Sequence, residues 1–294
     1  MVTIYYKNIK ENALHTLEEF KVGSWITVQN PTEDDITYLV KTFSLDEGLV
    51  RDATDFYEVP RVEVDASVTY IFARYPYSED NRILTAPVLI AIGEDFFITV
   101  SAHAFPIQDR FISGEIDFFT TQKTKLFLQF FFEINAAYSS LLNNISRRIR
   151  AMSITLERIE NKDIIQFVTF ENILNDFISA LLPTSTMLQN LLSGKFLRLY
   201  KNDQDLIEDL FLNNGQLVDM SNSNLKTIVN IRESYSTIMT NNLNRVIRRL
   251  TALTVLFMVP NIISGYFGMN VPLPHADSPL AFSALLSITF AVSG

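Results

Sequence analysis

The side chains with the clearest chemical meaning lie near the C-terminus. Stepping back by three and four from Gly265, the chain puts Asn261, Met258, Thr254, Thr251, Ile247, Asn244, Asn241 and Thr237 on one helical face. Asn261, Thr254 and Thr251 fall in a stretch whose other faces are mostly Leu, Val, Phe and Ile. Amides and hydroxyls are costly in lipid, so they turn toward other helices or toward water. Two readings stay open: a hydrogen-bonding seam in an inert bundle, or the wall of a water-filled pore. The pore requires several copies of the chain, because one copy supplies too few helices to enclose a channel. Zero cysteine excludes thiol nucleophiles, Fe–S clusters and Cys-rich zinc sites, and three His (His15, His103, His275) are too few for a His-built cage. Oxygen is left as the main ligand chemistry, which suits a hard cation. Neither a nucleophile elbow nor a His-containing metal motif occurs, which argues against an enzyme.

The element that must carry this stripe is a membrane helix. Only 19% of the 294 residues are charged, against roughly 25% in an average soluble domain. Much of the deficit follows Arg245, Arg248 and Arg249, since Leu250 to Ala276 contains no formal charge. Its first ~20 residues are long enough to cross ~30 Å of hydrocarbon. Over residues 250–268 the apolar character covers every helical face, unlike the one-sided pattern of a soluble surface helix. Asp277 interrupts, and Ser278 to Gly294 is again uncharged, so two passes are expected around the turn VPLPHADSP. The second pass is short, since about 15 residues at ~1.5 Å reach only ~22 Å; a longer natural chain is expected. Three Arg before the first pass and none in the turn predict that everything before residue 250 is cytoplasmic. The segment MVTIYYKNIKEN lacks the apolar core of a signal peptide. Pro260 is expected to bend the first pass near the Leu256 carbonyl. The net charge of −9 argues against a nucleic-acid partner and fits a surface that meets cations.

Residues 1–120 read as a cytoplasmic α/β domain. SWITVQNP (24–31) is a strand closing in an Asn-Pro turn, and Thr32 caps a helix with acids in its first turn. VEVDASVTYIFARYP reads as a strand, as does APVLIAIGEDFFITVSA, which contains a Gly-Glu-Asp turn at 93–95. Residues 121–249 change to helical period and form a bundle and stalk. Leu128, Phe131, Asn135, Tyr138, Leu142, Ile145, Ile149, Met152, Leu156 and Ile159 make a heptad seam. A second helix runs from a break at 161–163 to about Leu192, with Gly194 after it. A third is expected from about Asp203, and a fourth from about Asn222 that continues into the membrane.

The segment PNIISGYFGMN (260–270), ending in Gly268-Met269-Asn270 and followed by a second apolar pass, resembles the CorA family of magnesium channels. The triplet stands at the outer end of a first transmembrane helix, after a long helical region. The likeness covers the whole layout, is strongest over 244–271, and includes Trp25-Ile26, Pro31-Thr32 and VPRVEVD (59–65). It implies an α+β membrane protein assembled as a funnel-shaped homopentamer. The first pass (250–270) would line its pore, 271–278 would form the outer loop, and 279–294 would be a truncated second pass. It also implies that an Asn270 ring reads hydrated Mg²⁺ at the outer mouth in the plasma membrane. Mg²⁺ gives up water reluctantly, and amide carbonyls can accept hydrogen bonds from its water shell without stripping it. Gly268 allows close backbone approach, and Met269 suits packing better than metal binding. Asn244, Ile247, Thr251, Thr254, Met258, Asn261 and Gly265 match pore-facing positions, with Met258 and Ile247 as apolar constrictions.

The resemblance further implies that cytoplasmic Mg²⁺ held between subunits shuts the pore. Counting back from the triplet puts the family's regulatory aspartate at Asp209, beside Asp205 and Glu208. Asp205 and Asp209 are i,i+4 and repel unless a cation intervenes; an ordinary solvated acidic face is the alternative. Asp46, Asp52, Asp55, Glu94 and Asp95 are all candidates for the partner acid. The chain departs from the family in lacking a basic tail after Gly294 and in having an acid-poor outer loop, with Asp277 and a solvated His275. The competing functions are a ZntB-like zinc transporter, a Co²⁺ or Ni²⁺ transporter of the same architecture, and a membrane-anchored scaffold without transport.

Overall fold

The structure, a computed structural model, describes residues 2–80, 82–153, 161–197, 199–270 and 278–293. The chain divides into two compact units, residues 1–230 and 231–294.

The first unit begins with a seven-stranded sheet of β1 (Val2–Tyr6), β2 (His15–Leu17), β3 (Ser24–Gln29), β4 (Arg61–Asp65), β5 (Val68–Glu79), β6 (Arg82–Ile92) and β7 (Phe96–Ser101), in the order β2-β1-β3-β7-β6-β5-β4. Only β3 and β7 pair in parallel, with Trp25 opposite Phe97; the other neighbours are antiparallel. Period-two alternation then decides what each face buries. Ile26, Val28, Tyr70, Phe72, Leu89 and Ile98 pack with Ile36, Leu39 and Phe43 of α1 (Glu33–Phe43) and Val50 of α2 (Glu47–Asp52). Trp25 packs with Phe111 of α3 (Pro106–Ile112), Phe118, and Phe130 of α4 (Lys123–Ser153). Thr32 caps α1 as expected, in a reciprocal capping box with Asp35. VEVDASVTYIFARYP is two strands rather than one, because Ala66 takes φ of 50° and turns β4 back onto β5.

Arg74 on β5 pins the segment that follows α2. Its guanidinium donates to the Phe56 and Glu58 carbonyls at 2.7 and 2.8 Å, and to the Thr85 carbonyl and hydroxyl. Burial lowers its pKa, opposed by Tyr138, Asp176 and Asp55; an arginine still stays charged. Arg74→Met leaves those carbonyls unpaired and is expected to cost about 2–3 kcal/mol. A lowered melting temperature and faster proteolysis within 53–60 would report it.

The rest of this unit is helical. α4 and α5 (Asn161–Leu192) pair antiparallel, with the Tyr138 ring edge-on to Phe177 at 4.9 Å and the Arg148 guanidinium 5.3 Å from the Phe170 ring. The seam from Leu128 to Ile149 is buried as expected; Leu156 and Ile159 lie outside the described residues. The expected third and fourth helices are one, α6 (Lys201–Phe267, 67 residues). Gly215 and the Asn-rich stretches around it do not break it, because Ile207, Leu210, Asn214, Leu217, Ser221, Asn224 and Ile228 continue one buried stripe through them. That stripe outweighs the ~1 kcal/mol helix penalty of a glycine. Three buried amides fix its register: Asn135 Nδ2 donates to the Leu210 carbonyl, Asn224 Nδ2 to Ser146 Oγ, and Asn214 Nδ2 to the Leu181 carbonyl and Ser185 Oγ. Such groups specify alignment at some cost in stability.

The second unit contains the remainder of α6 and α7 (Ala281–Ser293). α7 occupies the stretch read as the second pass, and its 13 residues rise about 20 Å.

Candidate functional site

α6 is the one described helix long and apolar enough to cross a membrane, and no residue of its most apolar 18-residue window is buried. Leu250, Leu253, Val255, Phe257 and Ile262 are all exposed. Apolar residues on every face of an uncovered helix call for lipid or for other copies of the helix.

Asn244, Ile247, Thr251, Thr254, Met258, Asn261 and Gly265 all lie on α6 and are exposed. Thr251 Oγ1 donates to the Ile247 carbonyl at 2.9 Å, and Thr254 Oγ1 to the Leu250 carbonyl at 2.8 Å. Each hydroxyl proton is therefore spent on the helix itself, which leaves oxygen lone pairs outward as acceptors. Acceptors are what the water shell of a cation needs. The sequence shows the threonines, but not that each hydroxyl adds a second bond to a carbonyl already paired within the helix. Thr254, Met258 and Asn261 share a shallow hollow with Phe257 and Ile262.

The helix ends where the triplet begins. The Gly268 N–H donates to the Ser264 carbonyl at 2.9 Å and the Met269 N–H to Tyr266 at 3.3 Å. A Cβ at position 268 would sit 3.2 Å from the Ser264 oxygen, the carbonyl one turn back on the same helix. A Cβ on Gly265 would meet nothing within 4 Å in this chain. Gly268, Met269 and Asn270 thus follow the last turn of α6, while His275 and Asp277 lie outside the described residues.

Asp205, Glu208 and Asp209 are exposed in the first turns of α6, where the helix dipole favours acids. They lie on the stalk helix itself, not on a separate helix before it. Three candidate partner acids already have local work. Asp46 caps α2 through the Leu49 N–H, Asp52 pairs with Arg61 at 2.8 Å, and Asp55 accepts from the Tyr57 N–H. Glu94 and Asp95 flank the β6–β7 turn, where Lys123 Nζ grips the Gly93 and Glu94 carbonyls. Among the described residues, no three His, Cys, Asp or Glu side chains come together to hold a metal ion.

A mixed sheet and helical bundle together with an uncovered apolar helix that bears a polar stripe fit the class of membrane proteins. Residues 20–294 match the model of the CorA-like Mg²⁺ transporter proteins, and the chain belongs to that family. It is 25% identical over 272 residues to the cobalt/magnesium transport protein CorA of Methanocaldococcus jannaschii, covering 90% of this chain and 85% of that one. The complete structure of the CorA magnesium transporter from the same organism superposes with a TM-score of 0.88 at 21% identity, covering 100% of this chain and 95% of that one. The ZntB cytoplasmic domain of Vibrio parahaemolyticus superposes with a TM-score of 0.67 at 10% identity, over 81% of this chain and 98% of that domain, a likeness of fold alone.

Proposed function

We propose that this chain is the subunit of a homopentameric Mg²⁺ channel of the cell membrane, with α6 lining the pore, α7 as part of the second pass and the N-terminal unit in the cytoplasm. The observation that carries the reading is the α6 stripe, where the Thr251 and Thr254 protons are spent on the helix so that their hydroxyl oxygens face out as acceptors beside the Asn244 and Asn261 amides. Such a wall stabilises a hydrated cation without stripping it, and its weak, repeated sites suit conduction. At the outer end, Asn270 supplies a ring of amide oxygens. Met258 and Ile247 are the apolar narrowings where the path can dewet and close.

Mg²⁺ uptake into proteoliposomes holding the full-length protein tests this. Saturable entry, competed by Co²⁺, is the expected result. No divalent flux would favour the scaffold, and Zn²⁺ flux without Mg²⁺ flux would favour the ZntB-like reading.

We assign gating by internal Mg²⁺ to Asp205, Glu208 and Asp209, completed by an acid from a neighbouring subunit. Their support is a carboxylate pair one turn apart, exposed on α6. Asp209→Ala is expected to move the midpoint of inhibition by internal Mg²⁺ about tenfold upward, the loss of roughly 1.4 kcal/mol of binding. Unaltered inhibition in a current or protease-protection assay would remove Asp209 from the sensor.

A further inference from the structure

A groove of about 710 Å³ lies in the first unit, between the start of β6, the end of α4 and the first half of α5. That is the size of an ordinary small-ligand site. Arg82 comes to it from β6, Arg148 from α4 and Lys162 from α5, so cations from three elements converge in a chain of net charge −9. Arg82 is positioned by the hairpin that pairs it with Glu79, and Arg148 lies over the Phe170 ring, which also lines the groove. Neither guanidinium forms a hydrogen bond or ion pair among the described residues. Free forks of this kind match phosphate oxygens.

Two carboxylates share the same groove, Asp163 and Asp176. Asp176 makes no hydrogen bond or ion pair among the described residues, and burial, opposed by the charge of Arg74, raises its pKa. A bare polyanion would be repelled by Asp176 and by the acidic chain as a whole. A divalent metal on the phosphates removes that conflict: it lowers the ligand's charge and offers Asp176 a hard cation to approach. Among the described residues no three His, Cys, Asp or Glu side chains gather to hold such a metal alone, so the metal would arrive with the phosphate.

We propose that this groove binds a phosphate-bearing ligand in its metal-complexed form, of the class of a Mg²⁺–nucleoside polyphosphate. Arg82 and Arg148 contact the phosphates and Asp176 faces the metal. The assignment goes beyond transport and does not depend on the channel reading, because binding is measured directly.

Calorimetric titration of the full-length protein in detergent separates the possibilities, with ATP plus Mg²⁺, ATP plus EDTA, inorganic phosphate plus Mg²⁺, and Mg²⁺ alone as the background. The expected result is saturable binding of Mg²⁺-ATP. The Arg82→Ala/Arg148→Ala double variant should weaken it about tenfold or more, with the small loss of melting temperature that removing the Arg148–Phe170 contact brings. Asp176→Asn should weaken binding of the metal complex and not of the free nucleotide. If the alanine pair is unstable, the Arg82→Lys/Arg148→Lys pair, which keeps charge and loses the fork, should still lose part of the affinity. Binding to phosphoinositide vesicles that vanishes in the same variants would uphold the site and assign its phosphate to a lipid headgroup. No saturable binding of any phosphate probe, binding untouched by the Arg variants, or equal affinity for metal-free ATP would overturn the proposal.

Discussion

Asn270→Ala is expected to lower Mg²⁺ uptake by the reconstituted full-length protein about tenfold or more. A hydrogen bond from cation-bound water to an amide oxygen is charge-assisted and worth about 1.5–3 kcal/mol, and each 1.4 kcal/mol is a factor of ten in occupancy. In a symmetric assembly one substitution removes the oxygen from every subunit at once. Asn270 follows the end of α6, where Gly268 and Met269 make the last backbone bonds to Ser264 and Tyr266. Its side chain can therefore be changed without disturbing a helical turn. Asn270→Asp should be distinguishable, because a carboxylate holds the ion more tightly and slows its release. Uptake unchanged in Asn270→Ala would mean that selection happens elsewhere on the stripe.

Trp25→Ala is the substitution expected to harm the first unit most. Trp25 is the only tryptophan and is wholly buried. Its ring lies 5.4 Å from those of Tyr5 and Phe130 and 5.7 Å from that of Phe118, and its Nε1 donates to Thr99 Oγ1 at 3.0 Å. Truncating a buried Trp to Ala costs about 3–5 kcal/mol, a large share of the 5–15 kcal/mol that typically holds a domain folded. Guanidinium unfolding followed by far-UV circular dichroism should show a much lower midpoint. Trp25→Phe keeps most of the ring packing and loses the indole donor, so its midpoint should fall between the two. Equal midpoints for wild type and Trp25→Ala would show that the aromatic cluster is not what holds this face of the sheet.

Much of the molecule could be read before any coordinates. The charge-free run after Arg249, the polar steps from Asn244 to Gly265 and the Gly268-Met269-Asn270 triplet located a long apolar helix, a polar stripe along it and the place where it ends. Those signals are local: a helix that meets lipid must be apolar all round, and every polar exception is visible against that background. The capping box at Thr32 and the heptad seam of α4 were legible for the same reason, since both are written in residues a few positions apart.

Other features were decided by contacts between distant segments. The break read between Asp203 and Asn222 is absent, because helices α4 and α5 cover the stripe from Ile207 to Ile228 and hold the chain helical through Gly215. Trp25 opposite Phe97, Arg74 on the Phe56 and Glu58 carbonyls, and Arg82 lining one groove with Arg148 join residues that nothing local in the sequence pairs. The sequence by itself determined where the chain is apolar, which helical face is polar and which oxygen chemistry it offers, because periodicity and composition act within one element. Only the tertiary structure decided where α6 begins, which acids already have partners and which cations converge on a groove, because those depend on sheet register and on how three helices share one core.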